Sequence, residues 1–354
     1  MKKMLFCAAA AIVALASCSK TQVVYDETPQ EISFKKITGA MTKETPALGE
    51  DISLGVFATY TPDGGTSSSG IYLNNIEFTK GDNSYWTGRT PQYYPLSGTL
   101  DFVGYAPYNQ ENASYNYTPT TANEDGTTTL ASGTLTLEVN NTPTTASLTQ
   151  QDVVYSLYYS GVKKQTVAQD MHFHHALAKI NVNVELAGEG SLTINNLVIK
   201  DTRQTGTLTV THSQNIDVDK GETYWSTSQP TWSETGNGYV YYDYIVPAFT
   251  GQTLAITATT EAKSADLYVI PSAQTSIVLN YTLPDNSTTL SHEFDLSSNS
   301  AKWDAGCAYT YNIIINNYEI KFNATQKEWE GPNSYSANDA TKEDDKIQLG
   351  DWKF

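Results

Sequence analysis

The segment Ile180-Asn181-Val182-Asn183-Val184-Glu185-Leu186 decides the class of fold. Apolar and polar residues alternate through it without a break, and only an extended strand turns every second side chain to the same face. The pattern recurs on both sides. Downstream it runs through residues 192–199, 206–210, 239–246, 254–259, 267–270, 276–283 and 309–322. Upstream it runs through residues 31–37, 52–60, 71–78, 100–105, 134–139 and 153–159. Turn-forming clusters separate these stretches, among them Asp63-Gly64-Gly65, Gly81-Asp82-Asn83, Asn195-Asn196, Gly236-Asn237-Gly238 and Pro284-Asp285-Asn286. No segment holds a helical apolar period over several turns.

Many short strands with regular punctuation predict an all-β protein built of β-sandwiches. At roughly 150 residues per domain, 354 residues make two of them in tandem. The polar run Lys163-Lys164-Gln165-Thr166 breaks the pattern and marks the junction. The expected division is an N-terminal sandwich over 44–168, a C-terminal sandwich over 169–330 and a polar tail over 331–354.

The apolar fraction of 39%, with 24 Tyr, 10 Phe and 6 Trp, is ample for a packed core and argues against global disorder. The formal charge of −17 repels phosphate backbones, which excludes nucleic acid as a partner and disfavours anionic membrane surfaces. Past the first twenty residues there is no apolar run long enough to span a membrane as a helix.

Those first residues read as a leader. Met1-Lys2-Lys3 precedes an apolar run over 4–15, the pattern of a secretory signal, here over 1–17. Leu15-Ala16-Ser17-Cys18 then fits the bacterial lipobox: the small residues fit the peptidase, and the Cys18 thiol carries the diacylglycerol. Loss of Lys2 and Lys3 with the leader takes the charge from −17 to −19. Cys7 leaves too and Cys18 is acylated, so Cys307 has no disulfide partner. It has no basic neighbourhood to activate it and is expected as a small buried side chain.

Other groups imitate chemical sites. On a strand His172 and His174 share a face about 6.6 Å apart, with His175 adjacent, but Asp170 is the only nearby carboxylate and no metal site is expected. Asn215, Asp217 and Asp219 resemble part of a calcium loop, yet Gly221 comes one place late and the bidentate glutamate is missing, so an acidic turn is expected. There is no nucleophile elbow, and Gly64-Gly65 lacks a phosphate-binding lysine. No cofactor and no enzymatic activity are expected. Tyr85-Trp86, Tyr93-Tyr94 and Tyr224-Trp225 are candidates for stacking on sugars, or for packing the sandwich faces.

Several segments, taken in order, carry a family resemblance. Asp101-Phe102-Val103-Gly104-Tyr105-Ala106-Pro107-Tyr108 resembles the aromatic strand of Bacteroidota fimbrillins. Phe173-His174-His175-Ala176-Leu177-Ala178-Lys179-Ile180 is similar to that family's F-x-H-x-L-x-K-I signature, and Tyr244-Ile245-Val246-Pro247 to its strand ending in Ile-Pro. Residues 303–311, Ile320-Lys321-Phe322 and Trp329 resemble its closing strands. The match spans nearly the whole chain after the leader.

The resemblance implies two tandem transthyretin-like β-sandwich domains and a structural, adhesive fimbrial (type V pilus) subunit. It implies export as a lipoprotein precursor anchored in the outer membrane, then a place in the fimbrium at the cell surface. It also implies that a trypsin-like protease removes a lipidated first strand, here within 18–43, and that the open groove accepts a strand from another subunit. Partners would be other fimbrial subunits and, at the surface, host proteins or glycans. His174 becomes a packing residue at the domain junction.

The residues allow that mechanism to be placed. A sandwich short of one strand exposes backbone groups and an apolar trench, so the precursor must fill its own groove. In Glu31-Ile32-Ser33-Phe34-Lys35-Lys36-Ile37, Ile32 and Phe34 would face inward and Ser33 and Lys35 outward. The segment Thr38-Gly39-Ala40-Met41-Thr42-Lys43-Glu44-Thr45-Pro46 that follows is small and polar, as a cleavable loop requires. Lys43, before Glu44, aligns with the family's basic cleavage position, where arginine is usual; Lys36 is the alternative.

The tail ends in Ile347-Gln348-Leu349-Gly350-Asp351-Trp352-Lys353-Phe354. Ile347 and Leu349 share one face; Trp352 and Phe354 share a face of opposite parity, and a bulge at Gly350 would align all four. Their burial is worth on the order of 6–10 kcal/mol before ordering costs. The tail is a donor strand for another subunit or closes its own sheet. A donor tail favours a stalk subunit; a tip or capping subunit, and a monomeric glycan-binding surface lipoprotein, are the alternatives.

Overall fold

The computed structural model describes residues 28–38, 52–65, 70–81, 85–142, 150, 152–187, 190–234, 241–246, 249–255, 262–283, 288–297, 301–316, 319–328, 346–347 and 352–353. These residues form strands and turns without an α-helix, as the period-two pattern predicts. The first half contains β1 (Ser33–Thr38), β2 (Leu54–Thr61), β3 (Gly70–Lys80), β4 (Tyr85–Gly88), β5 (Thr99–Ala106), β6 (Ala113–Thr118), β7 (Thr121–Ala122), β8 (Thr128–Thr129), β9 (Ser132–Asn140), β10 (Val154–Ser156), β11 (Tyr159–Val162) and β12 (Gln169–His175). The second contains β13 (Ala178–Leu186), β14 (Ser191–Arg203), β15 (Thr205–Asp217), β16 (Glu222–Thr227), β17 (Thr231–Ser233), β18 (Tyr241–Ile245), β19 (Gln252–Ala255), β20 (Ala262–Val269), β21 (Ser272–Ala273), β22 (Ser276–Thr282), β23 (Leu290–Asp295), β24 (Lys302–Trp303), β25 (Cys307–Ile315) and β26 (Glu319–Glu328), followed by the short β27 (Lys346–Ile347) and β28 (Trp352–Lys353).

The first sheet runs β10-β12-β1-β4-β3-β2-β5-β11, and β10 also pairs with β5. That extra pairing closes seven of the eight strands into a ring, which removes their free edges. Ile32, Phe34, Val56, Phe78, Phe102, Met171 and Phe173 fill the ring.

A second sheet, β16-β15-β9-β6 with β17 beside β15, covers the outer face of β2 and β5. Phe57, Val103 and Tyr105 point out of the ring and pack on Leu135, Leu137, Leu208 and Val210. β2 and β5 are therefore buried on both faces: the alternation read at 52–60 and 100–105 describes only the ring side, and residues between its apolar positions, Phe57 and Val103 among them, are buried too.

His212 of β15 lies between these layers, fully buried, with Tyr158 and Tyr115 rings 5.6 and 6.1 Å away. Burial pushes its pKa down to about 4. A histidine in the unfolded chain titrates near 6.5, so below that pH the unfolded state takes a proton that the folded state refuses. Stability is unaffected by His212 above pH ~6.5 and falls by roughly 3 kcal/mol between there and pH ~4. In urea titrations at pH 7 and 4.5, a His212→Leu chain should lose markedly less stability on acidification than the parent. Equal losses in the two proteins would refute the assignment.

The remaining strands form a sandwich of their own. The sheet β20-β13-β25-β26, extended by β27 and β28 on β26, faces the sheet β18-β14-β22-β23 with β19 beside β14. β13 alternates buried and half-buried residues over its nine positions, and Ile180, Val182 and Val184 enter the core with Ile194, Leu197, Leu279, Tyr311, Ile313 and Phe322.

Strand pairing crosses the boundary placed between residues 168 and 169. β12, which starts at Gln169, is a stave of the N-terminal ring. β15, from Thr205, pairs along nine residues with β9 and so belongs to the covering sheet. A strand's alternation sets which face is buried but not which sheet it joins, because partners are chosen by long-range contacts.

Candidate functional site

The slot held by β1 is the feature with the most functional content. Upstream of the strand, the Ile32 N–H donates to the Gln92 carbonyl (2.7 Å) and the Tyr94 N–H to the Gln30 carbonyl (2.9 Å), with Glu31 bridged to Tyr93. β1 then runs antiparallel to β4, pairing Ser33, Phe34 and Lys35 with Thr87, Trp86 and Tyr85. On its other side it runs parallel to β12, with Phe34 opposite Gln169 and position 37 opposite Met171.

The side chains fall as the alternation requires. Ile32 and Phe34 are 0% exposed, whereas Lys35 is on the surface. The Phe34 ring meets Phe78 and Phe102 edge-on, with centroids at 4.9 and 5.4 Å. Burying these two side chains contributes roughly 3–6 kcal/mol. Without β1, β12 and β4 would each present a row of unpaired backbone groups beside an apolar trench lined by Phe78, Phe102, Met171 and Phe173.

The slot walls were not legible as such. Residues 169–173 alternate correctly, but nothing local says that they pair in parallel with a segment more than a hundred residues earlier. The short stretch 92–94 carries no strand signal at all, since its role is to hold the approach to β1 by two hydrogen bonds.

The other sequence-predicted residues divide into placed and unplaced. Cys18, Lys43, Glu44, Leu349 and Phe354 lie outside the described residues. Lys36 lies within β1, where the register slips between Lys35 and Ile37. Ile347 belongs to β27 and pairs with Ala324; Trp352 belongs to β28 and pairs with Ile320. The tail backbone thus lies antiparallel on β26, at the edge of its own C-terminal sheet.

The three neighbouring histidines are divided among separate partners. His175 Nδ1 is 2.8 Å from the buried Asp152 carboxylate, His174 stacks on Tyr155, and His172 stacks on Tyr159. Burial lowers the pKa of His174, helped by the charges of His175 and His172. Among the described residues no group of His, Cys, Asp and Glu is arranged to hold a metal ion. Asp217 accepts the N–H groups of Asp219 and Lys220, closing a turn. Cys307 is half-buried against the C-terminal core, not fully enclosed as expected.

Of the six aromatic residues proposed for sugars, Trp86 and Tyr94 are buried in the ring and Trp225 stacks on Tyr158 at 3.8 Å. Tyr93 and Tyr224, 46% and 53% exposed, are the two with substantial free surface.

A family model described as fimbrillin-like matches residues 40–329. No curated protein matches the sequence significantly. Solved structures with a similar chain path include a candidate cell adhesion protein from Bacteroides uniformis, 15% identical, with 84% of this chain and 99% of that one covered and a TM-score of 0.46. A fimbrial assembly protein from Parabacteroides distasonis is 11% identical, with 84% and 95% covered and a TM-score of 0.35. The fimbrial anchor protein Mfa2 from Porphyromonas gingivalis is 11% identical, with 86% and 99% covered and a TM-score of 0.30.

Proposed function

The chain belongs to the fimbrillin-like family, and on that premise we propose that it is a structural, adhesive subunit of a cell-surface fimbrium and not an enzyme. It is exported as a precursor anchored through lipid on Cys18, cut by a trypsin-like protease after Lys43, and assembled with other fimbrial subunits when a donated strand takes the place of β1. The tail residues Ile347, Leu349, Trp352 and Phe354 form the donor, which makes a stalk role the leading one.

One observation carries this reading: β1 is an interior stave of a closed ring, yet it is the first of the described strands, and the sequence between it and β2 includes the small, polar segment that holds Lys43. Cleavage there leaves β1 held by backbone pairing and two or three apolar side chains, so another strand of suitable pattern can replace it. Cleavage at Lys36 is disfavoured, because proteases need several residues of unpaired chain and Lys36 sits inside the strand.

A second reading has its own support. The tail already pairs with β26, so a subunit that keeps it there would accept a strand without donating one, as a tip or capping subunit does.

Limited trypsin treatment of residues 19–354, followed by intact mass and native gel migration, separates the two. Loss of the segment through Lys43 together with a ladder of oligomers supports the stalk. A chain carrying Ile347→Asp and Trp352→Asp should be cut and stay monomeric. If the parent is cut at Lys43 and also stays monomeric, the tip role replaces the stalk.

A further inference from the structure

The strand that fills the slot and the tail that would replace it share an irregular spacing. Along β1, Phe34 stands opposite Gln169 and position 37 opposite Met171, so three steps on β1 match two on β12. Residues directly opposite each other share a face of the sheet. The backbone register therefore sets position 37 in line with the buried Ile32 and Phe34: steps of two, then three. In the tail, the apolar residues Ile347, Leu349 and Trp352 repeat those steps. When the tail pairs with β26, Ala324 and Ile320 stand four residues apart while their partners Ile347 and Trp352 stand five apart, so one residue more lies on the tail side. Each occupant strand carries one extra residue, between Lys35 and Ile37 in β1 and between Ile347 and Trp352 in the tail.

We propose that the slot selects its donor by this one-residue slip: it admits a strand with apolar residues at steps of two and three, running in the direction of β1, and rejects a strand of regular alternation. The inference rests on the strand-exchange reading and adds to it the rule by which a partner tail is recognised. The physical basis is that a strand's side-chain period is two, so a donor lacking the slip turns everything beyond it to the wrong face. Regular β-strands of other chains, abundant at a cell surface, would then be excluded, although their alternation is the better one. Gly350 suits the slip because glycine takes the backbone angles that bulges demand.

The test uses residues 19–354 with positions 40–45 replaced by the recognition sequence of a site-specific protease, so that cutting does not depend on trypsin. After cutting, three peptides compete with the β1 segment: residues 347–354, the same peptide lacking Gly350, and the reversed sequence. Native mass spectrometry follows release of the segment. The 347–354 peptide should displace it, and the peptide lacking Gly350, though perfectly alternating, should require about a hundredfold higher concentration, as expected when two apolar side chains lose their pockets. The reversed peptide should fail. Equal or better displacement by the shortened peptide overturns the slip rule and leaves strand exchange standing. Failure of all three to displace the segment removes the strand-exchange reading itself, and the slip rule with it.

Discussion

A Phe34→Asp chain is expected to lose its N-terminal fold. The side chain is 0% exposed and lies edge-on to Phe78 and Phe102 inside the ring. The two rings it meets offer a carboxylate no hydrogen-bond donor. The substitution removes an aromatic worth about 3–5 kcal/mol and adds an unpaired carboxylate whose desolvation costs several more. Together they match or exceed the 5–15 kcal/mol that typically holds a domain.

Urea unfolding followed by far-UV circular dichroism should show an early transition, or none, for the N-terminal layers. The C-terminal sandwich, whose core is a separate cluster, should unfold near its usual midpoint. Two controls make the prediction specific to the inward face. Lys35→Asp, one residue on and exposed, should change stability by less than about 1 kcal/mol. Phe34→Leu should cost roughly 1–2 kcal/mol. An unfolding curve for Phe34→Asp that overlays the parent would show that β1 does not occupy the ring in solution.

The second large effect belongs to the other core. Trp303 is 0% exposed, and its indole N–H donates to the Tyr311 hydroxyl at 3.0 Å. That hydroxyl donates in turn to the Gln274 amide oxygen at 3.3 Å. The Tyr311 ring stacks on Phe322 and Phe322 on Phe294, with centroids at 5.8 and 4.6 Å. Trp303 therefore supports a column that reaches β26, the strand on which the tail lies. Trp303→Ala leaves a cavity and takes from the Tyr311 hydroxyl the bond it accepts, and should lower C-terminal stability by about 4 kcal/mol. Trp303→Phe keeps most of the volume and loses the donor, for about 1–2 kcal/mol. Tail pairing should weaken in parallel, read as faster hydrogen exchange of β26 amides. A Trp303→Ala loss equal to that of Trp303→Phe would mean that the site collapses without a cavity.

Much of this was legible in the residues. Alternation at 180–186 located β13 to within two residues and that at 192–199 the first part of β14, whereas the run read at 309–322 is two strands, β25 and β26; the parity of Ile32, Ser33, Phe34 and Lys35 named the buried pair. The ordered motifs named the family. Cys18 and Lys43 rest on the sequence alone, because a lipobox and a basic residue in a small polar segment are local signals.

Tertiary structure decided the rest, and for one physical reason. Periodicity reports which face of a strand is wet; it does not report which strand lies beside it, since that choice is a comparison between contacts made by distant parts of the chain. So the sequence by itself determined an all-β chain, its strands, the inward residues of β1 and the apolar ending of its tail. Only the folded arrangement decided that β5 and β10 close a ring, that β12 runs in parallel beside β1, that β15 pairs with the distant β9, and that both β1 and the tail carry one residue more than the strands they lie against.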